Sequence, residues 1–267
     1  MFTIATWNIN SIRKRIAQLE RLIDLAAPDV ICLQETKCED KLFPRQEIAD
    51  LGYVHQAYAG QRAYNGVAIL SKHPLSEVDL HRHCGREDAR HVSAVVGEGP
   101  GAMKVHSVYV PAGGPIADRD LNPKFDHKLK FVDAIADFFA GHHGLSDAAV
   151  VAGDFNIAPL PSDVWDHAKM SRIVTHTPIE IAALERMKRA LYFIDALREL
   201  HPAENPVFTW WSYRAADWQA TNKGRRLDHI WVTPALKDRI AKVDVLMDVR
   251  HWTPASDHVP VVLALKP

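Results

Sequence analysis

The chain has 267 residues, 47% hydrophobic and 24% charged, with a formal net charge of -1 and an isoelectric point near 6.9. This composition supports a sizeable apolar core and excludes a low-complexity or fibrous chain. No overall basic field advertises a nucleic-acid partner, so any such role rests on local clusters of Lys and Arg.

The opening stretch "FTIATWNIN" alternates and is rich in β-formers, which predicts a strand. In "SIRKRIAQLERLIDLAA", Ile12, Ile16, Leu19, Leu22, Ile23 and Ala26 recur at helical spacing, with Ser11 as the expected N-cap and Pro28 just past the end. "DVICLQE" reads as a second buried strand, so the chain opens as a β-α-β unit with parallel neighbours. The next segments, "YVHQAYA", "NGVAILSK", "HVSAVVGE" and "MKVHSVYVP", are short strands between turn-rich pieces, the pattern of antiparallel sheet. A helix fits "DHKLKFVDAIADFFAGH". The strand "VVAGDFNIAP" follows, with Gly153 and Pro159 as breakers. Residues 178–200 read as mostly helical, and "RRLDHIWVT", "AKVDVLMDV" and "VPVVLALKP" close the chain as strands. There is no internal repeat, low-complexity segment or Pro/Gly/Ser-rich linker. The expected organisation is one domain over residues 1–267, with mixed sheets packed face to face and helices outside.

The three cysteines, Cys32, Cys38 and Cys84, show no C-x-x-C pair or zinc spacing. Cys32, inside "DVICLQ", reads as a buried inert thiol, and the set suits a reducing compartment. "MFTIATWNIN" lacks the basic and apolar regions of a signal peptide, and no apolar run is long enough to span a bilayer. A cytoplasmic protein with no membrane partner is expected.

Several strands end in polar side chains: Asn8 and Asn10; Gln34, Glu35 and Lys37; Tyr109; Asp154 and Asn156. Asp228 stands in "RLDHI", and Asp257 and His258 precede the last strand. Any one alone reads as a turn former, a cap or a core ring. Together they converge on the crevice at the strand ends of an α/β protein, where crowded carboxylates would repel each other unless a hard cation neutralised them. Carboxylate and amide oxygens suit magnesium or manganese better than zinc. The two-residue spacing of Asp154 and Asn156 points both side chains the same way. A Ser-His-Asp hydrolase is the weaker reading, because no G-x-S-x-G elbow exists and Ser256 lies beside Asp257 without a strand-to-helix turn.

Basic residues cluster at Arg13, Lys14 and Arg15 in the first helix; at Arg86, Arg90 and His91; at Arg119 and Lys124; and at Lys223, Arg225 and Arg226. Each alone suits a solvated face, but all except the first flank a candidate catalytic segment and so become candidate phosphate contacts. "FTWWSYRAADW" adds Trp210, Trp211, Tyr213 and Trp218, of which at least half are expected in the core.

"TWNINSIR", "LQETK", "VYVP", "GDFNIAP", "RLDHI" and "SDHVPV", in this order, resemble the exonuclease III family of abasic-site endonucleases, within the endonuclease/exonuclease/phosphatase superfamily. "YAGQRAYNGVAILSK" and "FTWWSYR" are similar to the same family, and the resemblance covers nearly the whole chain. It implies an α/β fold, a four-layer α/β/β/α sandwich of two mixed sheets with flanking helices. The activity it implies is Mg2+-dependent hydrolysis, with Mn2+ substituting, of double-stranded DNA at abasic sites and 3′ ends by a monomer. Glu35 becomes the main metal ligand, with Asn8 and Asp257 on or near the same ion and Asp154, Asn156 and His258 around it. Asp154 orients or deprotonates the water, or protonates the leaving group. Asn156 donates to the nucleophile or phosphate, and His258 to a non-bridging oxygen. Asp228 holds the His258 tautomer, and Tyr109 supplies a hydroxyl or phenolate. Arg90, Arg119, Lys124, Trp210, Arg225 and Leu227 become DNA contacts, with Trp210 lining a slot for an extrahelical abasic sugar.

Two positions depart from that pattern: Arg225 in "GRRLD", where a bulky apolar residue is common, and Ala112 after "VYVP", where Gln or Asn is common. The first makes the pocket wall more polar and puts abasic-site preference in doubt. The second removes one phosphate contact. The competing readings are a superfamily phosphatase acting on a non-DNA phosphate ester, disfavoured by "FTWWSYR" and the basic loops, and a catalytically inactive DNA-binding module, disfavoured because the whole polar set is present.

Overall fold

The chain runs through two sheets laid face to face. In the computed structural model, which describes residues 1–215 and 217–267, the first sheet holds β1 (Phe2–Asn8), β2 (Val30–Gln34), β3 (His55–Gln61), β4 (Tyr64–Ser71), β11 (Ile240–Val245) and β12 (Val261–Leu265). The second holds β5 (Leu75–Leu80), β6 (His91–Val96), β7 (Met103–Tyr109), β8 (Ala149–Asp154), β9 (Ile194–Asp195) and β10 (Asp228–Val232). The orders are β11-β12-β1-β2-β4-β3 and β5-β6-β7-β8-β10-β9. Each sheet is antiparallel except for one central parallel pair, β1 with β2 and β7 with β8. Those two pairs are bridged by α1 (Ile16–Ala26) and by α3 (Pro123–His142), since parallel neighbours need a crossover. The remaining helices are α2 (Arg45–Asp50), α4 (His167–Met170), α5 (Pro178–Arg189), α6 (Ala196–Leu200) and α7 (Trp218–Thr221).

Strand alternation sorts the side chains into three apolar layers. In β1, Ile4 faces the opposing sheet, whereas Ala5 and Trp7 face α1 and α2. In β8, Val150 and Ala152 face the gap between the sheets, whereas Val151 packs with Phe131, Phe139 and Leu184 of α3 and α5. The result is helices on sheet on sheet on helices, the four layers expected. Gly153 lies inside β8 and does not break it: a Cβ there would sit 1.9 Å from the Val108 carbonyl oxygen, so only glycine lets β8 close against β7.

Three boundaries differ from the sequence reading. The first helix begins at Ile16, and Ser11 does not cap it. Ser11 and Ile12 donate their backbone N–H groups to Glu35 and Thr36 instead, so this segment is tied to the loop after β2. Residues 178–200 are split by β9, after Thr177 and Glu180 have closed a capping box at the start of α5. Strand β5 carried no clear sequence signal, because most of its residues are exposed. Cys32 and Cys38 are buried and Cys84 is exposed, and all three are free.

Candidate active site

The alternation that fills the core also delivers the polar residues. Asn8 follows Ile4 and Thr6 on the inner face of β1; Tyr109 ends β7 on its inner face; Asp154 ends β8; Asp228 begins β10, directly across from Asp154. Where the apolar layer between the sheets runs out, these side chains replace it. Asn8 Nδ2 donates to Asp154 Oδ2 at 2.9 Å across the gap and to Glu35 Oε1 at 2.9 Å. Tyr109 also donates its hydroxyl to Glu35 Oε1, at 2.8 Å.

Two residues enter by turns. Glu35 and Asn156 both have positive φ, 52° each. The shared direction of Asp154 and Asn156 therefore does not come from strand spacing, since β8 ends at Asp154. A left-handed residue brings Asn156 back, so that its backbone N–H donates to Asp154 Oδ1 at 2.9 Å and its Nδ2 to Asp154 Oδ2 at 3.1 Å. Its Nδ2 also reaches the Val110 carbonyl, and buried Lys128 holds its carbonyl at 2.7 Å.

His258 lies between two carboxylates, with Nδ1 2.8 Å from Asp228 Oδ2 and Nε2 3.6 Å from Asp154 Oδ2. One ligand atom from each of these three residues lies within 4.8 Å of the others. Burial works against a charge on His258, but Asp228 and Asp154 outweigh it and push its pKa up to about 10. Asp154 moves the other way: burial, with Asp228 and Glu35 nearby, raises it to about 7, although His258 and Asn8 oppose the rise. Burial would also raise Glu35, yet the Lys37 ammonium at 2.6 Å and the Asn8 amide hold it below the usual carboxylate range. Burial, reinforced by Glu35 and Asp154, pushes Tyr109 well above its ordinary value, which favours the hydroxyl over a phenolate.

Glu35, Tyr109, Asp154, Asn156, Asp257 and His258 all line one cleft of about 310 Å3. Asp257 accepts from Asn10 Nδ2 at 3.0 Å and from Trp210 Nε1 at 3.0 Å. The oxygen donors of Glu35 and Asp257, with the Asn8 and Asn10 amides beside them, fit a hard divalent cation. The Asn8 oxygen accepts the Asn10 N–H at 3.1 Å, and a doubly protonated His258 presents donors only. Ser256 donates its buried hydroxyl to the Asn8 carbonyl and is no nucleophile.

Trp210, Arg225 and Leu227 line the same cleft. The Arg225 guanidinium sits 4.9 Å over the Trp210 ring and donates to Val174 O and Thr175 Oγ1. Arg90 and Lys124 line an adjoining cavity of about 530 Å3, which shares Tyr109 and Ala112 with the cleft. Arg90 is buried, paired with Asp88 at 2.6 Å and placed over the Tyr109 ring. Arg119 lines neither cavity and pairs with Asp126 at 2.8 Å.

Three other basic candidates turn out to be internal. Arg15, which reads as part of a solvated helix face, is buried on the carbonyls of Ile9, Pro254 and Ala255. Arg226 is buried between Asp163 and Asp195, and His91 is fully buried among other histidines. Trp211 belongs to the core, and Tyr213 is exposed. The sequence reading missed the wall formed by Ile173, Val174 and Thr175, which carries no motif of its own. It named Lys37 without assigning it a role. Lys37 Nζ bridges Glu35 and Asn10, the latter at 2.6 Å.

Residues 5–258 match the family described as the endonuclease/exonuclease/phosphatase family. Exodeoxyribonuclease III of Haemophilus influenzae is 32% identical over 263 residues, covering 96% of this chain and 97% of that protein. An AP endonuclease from Archaeoglobus fulgidus superposes with a TM-score of 0.92 at 29% identity, covering 100% of both chains. A 3′ phosphatase, NExo, from Neisseria, solved bound to a product DNA hairpin, superposes with a TM-score of 0.90 at 31% identity, again covering 100% of both chains.

Proposed function

The chain belongs to the endonuclease/exonuclease/phosphatase family, and from that premise we propose that it is a metal-dependent DNA repair nuclease of the exodeoxyribonuclease III type. The observation that carries this reading is the single cleft shared by Glu35, Asp257, Asp154 and His258. Such a set can hold a cation, activate water and receive a phosphate at one place. Glu35 and Asp257 would hold Mg2+, with Mn2+ substituting, and the Asn8 amide oxygen, which accepts a single N–H, keeps a lone pair for the same ion. When bound, the ion polarises a phosphoryl oxygen and offsets charge on the leaving 3′ oxygen.

Asp154 orients the attacking water and takes its proton, since its raised pKa lies near neutral, where a general base is most effective. Asn156 fixes Asp154 through both carboxylate oxygens. His258 donates from Nε2 to a non-bridging oxygen, where negative charge builds, while Asp228 keeps its ring charged and oriented. Tyr109 would supply a second donor to the phosphate by turning its hydroxyl away from Glu35. Arg90 and Lys124 position the duplex backbone along the adjoining cavity.

Arg225 decides which DNA substrate is favoured. Stacked on Trp210 and tied to Val174 and Thr175, it occupies the wall of the slot an extrahelical abasic sugar would enter. Work on 3′ ends is therefore favoured over incision at abasic sites. In this reading the chain acts as a monomer, as one domain, in the cytoplasm. No described helix is long and apolar enough to cross a membrane.

The test is digestion of matched duplexes, one with an abasic analogue and one with a recessed 3′ end, beside a phosphorylated inositol, with Mg2+ and with EDTA. Cleavage of DNA only, dependent on metal and faster at the 3′ end, is expected. Turnover of the inositol phosphate alone, or full DNA cleavage in chelator, overturns the proposal.

A further inference from the structure

Six histidines gather on the helix-facing side of the second sheet, the face opposite to Tyr109 and Asp154: His81, His83, His91, His106, His142 and His143, around Phe138. Three of them form a chain. His83 Nε2 lies 2.9 Å from His91 Nδ1, and His91 Nε2 lies 2.9 Å from His106 Nδ1. His91 and His106 are fully buried, and His106 Nε2 has no hydrogen-bond partner although the atom is buried. A cavity of about 360 Å3 opens beside them, lined by His81, His106, His143, Asp79 and Asp147 among others.

Apolar packing alone does not account for this arrangement. Phenylalanine would fill the same space without burying an unpartnered polar nitrogen, and such groups are rare in native interiors. Burial also keeps the rings uncharged, so each retains a lone pair.

We propose that this cluster is a second metal site, independent of the catalytic cleft, that takes a borderline divalent ion of the zinc class through His81, His91 and His106. One ring nitrogen of each lies within 4.8 Å of the other two. A zinc ion about 2.0–2.1 Å from each nitrogen sets its ligands roughly 3.4 Å apart. His91 Nε2 and His106 Nδ1, at 2.9 Å, are already near that spacing, and His106 offers the ion either this nitrogen or Nε2, which has no partner without one. His83 then braces His91 from its other nitrogen, as partners of metal-bound imidazoles usually do. His81 closes the triad by drawing inward from the half-buried loop after β5. The fourth position faces the cavity, where His143 and Asp147 stand. Neutral imidazoles select zinc over magnesium, so the two sites sort their ions by donor type.

Bound zinc would pin β6 and β7 to the loop after β5, and stabilise the fold by mass action. The test uses the full chain with millimolar Mg2+ present to occupy the catalytic cleft. Zinc retained after desalting is measured by elemental analysis, and the melting temperature is measured with and without zinc. One equivalent of zinc and a zinc-dependent rise in melting temperature are expected, both retained in Glu35→Gln. Both should be lost in His81→Ala, which alters a half-buried loop residue, and in His106→Phe, which preserves the packing. Retention of zinc by His81→Ala and His106→Phe at the wild-type level, its displacement by Mg2+, or its loss in Glu35→Gln overturns the proposal.

Discussion

His258 Nδ1 lies 2.8 Å from Asp228 Oδ2, both buried, and in the proposed mechanism the charge of this pair sets the alkaline limit of the chemistry. The imidazolium is the form that donates to phosphate. With its pKa pushed up to about 10 by Asp228 and Asp154 over the opposing effect of burial, it stays charged across neutral pH, and activity falls only as pH rises through that value. Asp228→Asn removes the nearer carboxylate, so the fall moves to lower pH, and turnover at neutral pH drops by about 10²–10³-fold. A pH profile of kcat/KM for both proteins checks this; an unmoved alkaline limb would separate His258 from the chemistry.

Glu35 and Asp154 share the Asn8 amide but have opposite charge preferences, Glu35 lowered and Asp154 raised. Their substitutions should therefore fail differently. Glu35→Gln raises the Mg2+ concentration needed for half-maximal activity by about tenfold or more, and excess metal partly restores turnover. Asp154→Asn lowers kcat by about 10²–10⁴-fold, and no metal concentration restores it. Metal titrations of the two variants give the comparison, and EDTA should silence the parent protein.

These contrasts show which parts of the site the sequence could disclose. Asn8, Tyr109, Asp154 and Asp228 lie on strands whose apolar alternation is visible in the sequence, and that alternation fixes which side of the sheet each one faces. Glu35 and Asn156 reach the cleft through left-handed turns, which alternation does not encode. Arg15, His91 and Arg226 read as surface cations because a sequence shows their charge and not their partners. The partners of Arg226, Asp163 and Asp195, lie 63 and 31 residues away. Ser11 failed as a helix cap for the same reason: its backbone is claimed by the loop after β2.

Arg225 supplies a test of substrate choice. Its guanidinium is held by Trp210, Val174 and Thr175, so Arg225→Leu both empties a polar wall and releases the loop that forms it. The rate at an abasic analogue should rise relative to the rate at a recessed 3′ end, by about tenfold, the scale on which one added apolar group changes discrimination in a pocket. Measuring both rates on matched duplexes gives the ratio. An unchanged ratio would assign Arg225 to holding the loop alone.

Directly behind the cleft, Arg226 is buried with Nε 2.7 Å from Asp163 Oδ1 and Nη1 2.8 Å from Asp195 Oδ2, while Arg198 reaches Asp163 at 2.5 Å. This network ties the approach to β10 to β9 and to the turn at Asp163, and so fixes where Asp228 begins. Removing one partner leaves a buried charge without compensation, so Asp163→Ala should cost about 3–5 kcal/mol, read by denaturant unfolding. Burial raises both carboxylates, but Arg226 and its hydrogen bonds outweigh it and hold Asp163 and Asp195 below their ordinary range. Their stabilisation is therefore fully present above the unfolded value of about 3.9, and it is lost as pH falls from there toward the folded values. The melting temperature should drop steeply below about pH 4 in the parent protein. In Asp163→Ala the drop should be shallower, because part of that acid-sensitive stabilisation is already gone; an equally steep drop would place the acid sensitivity elsewhere.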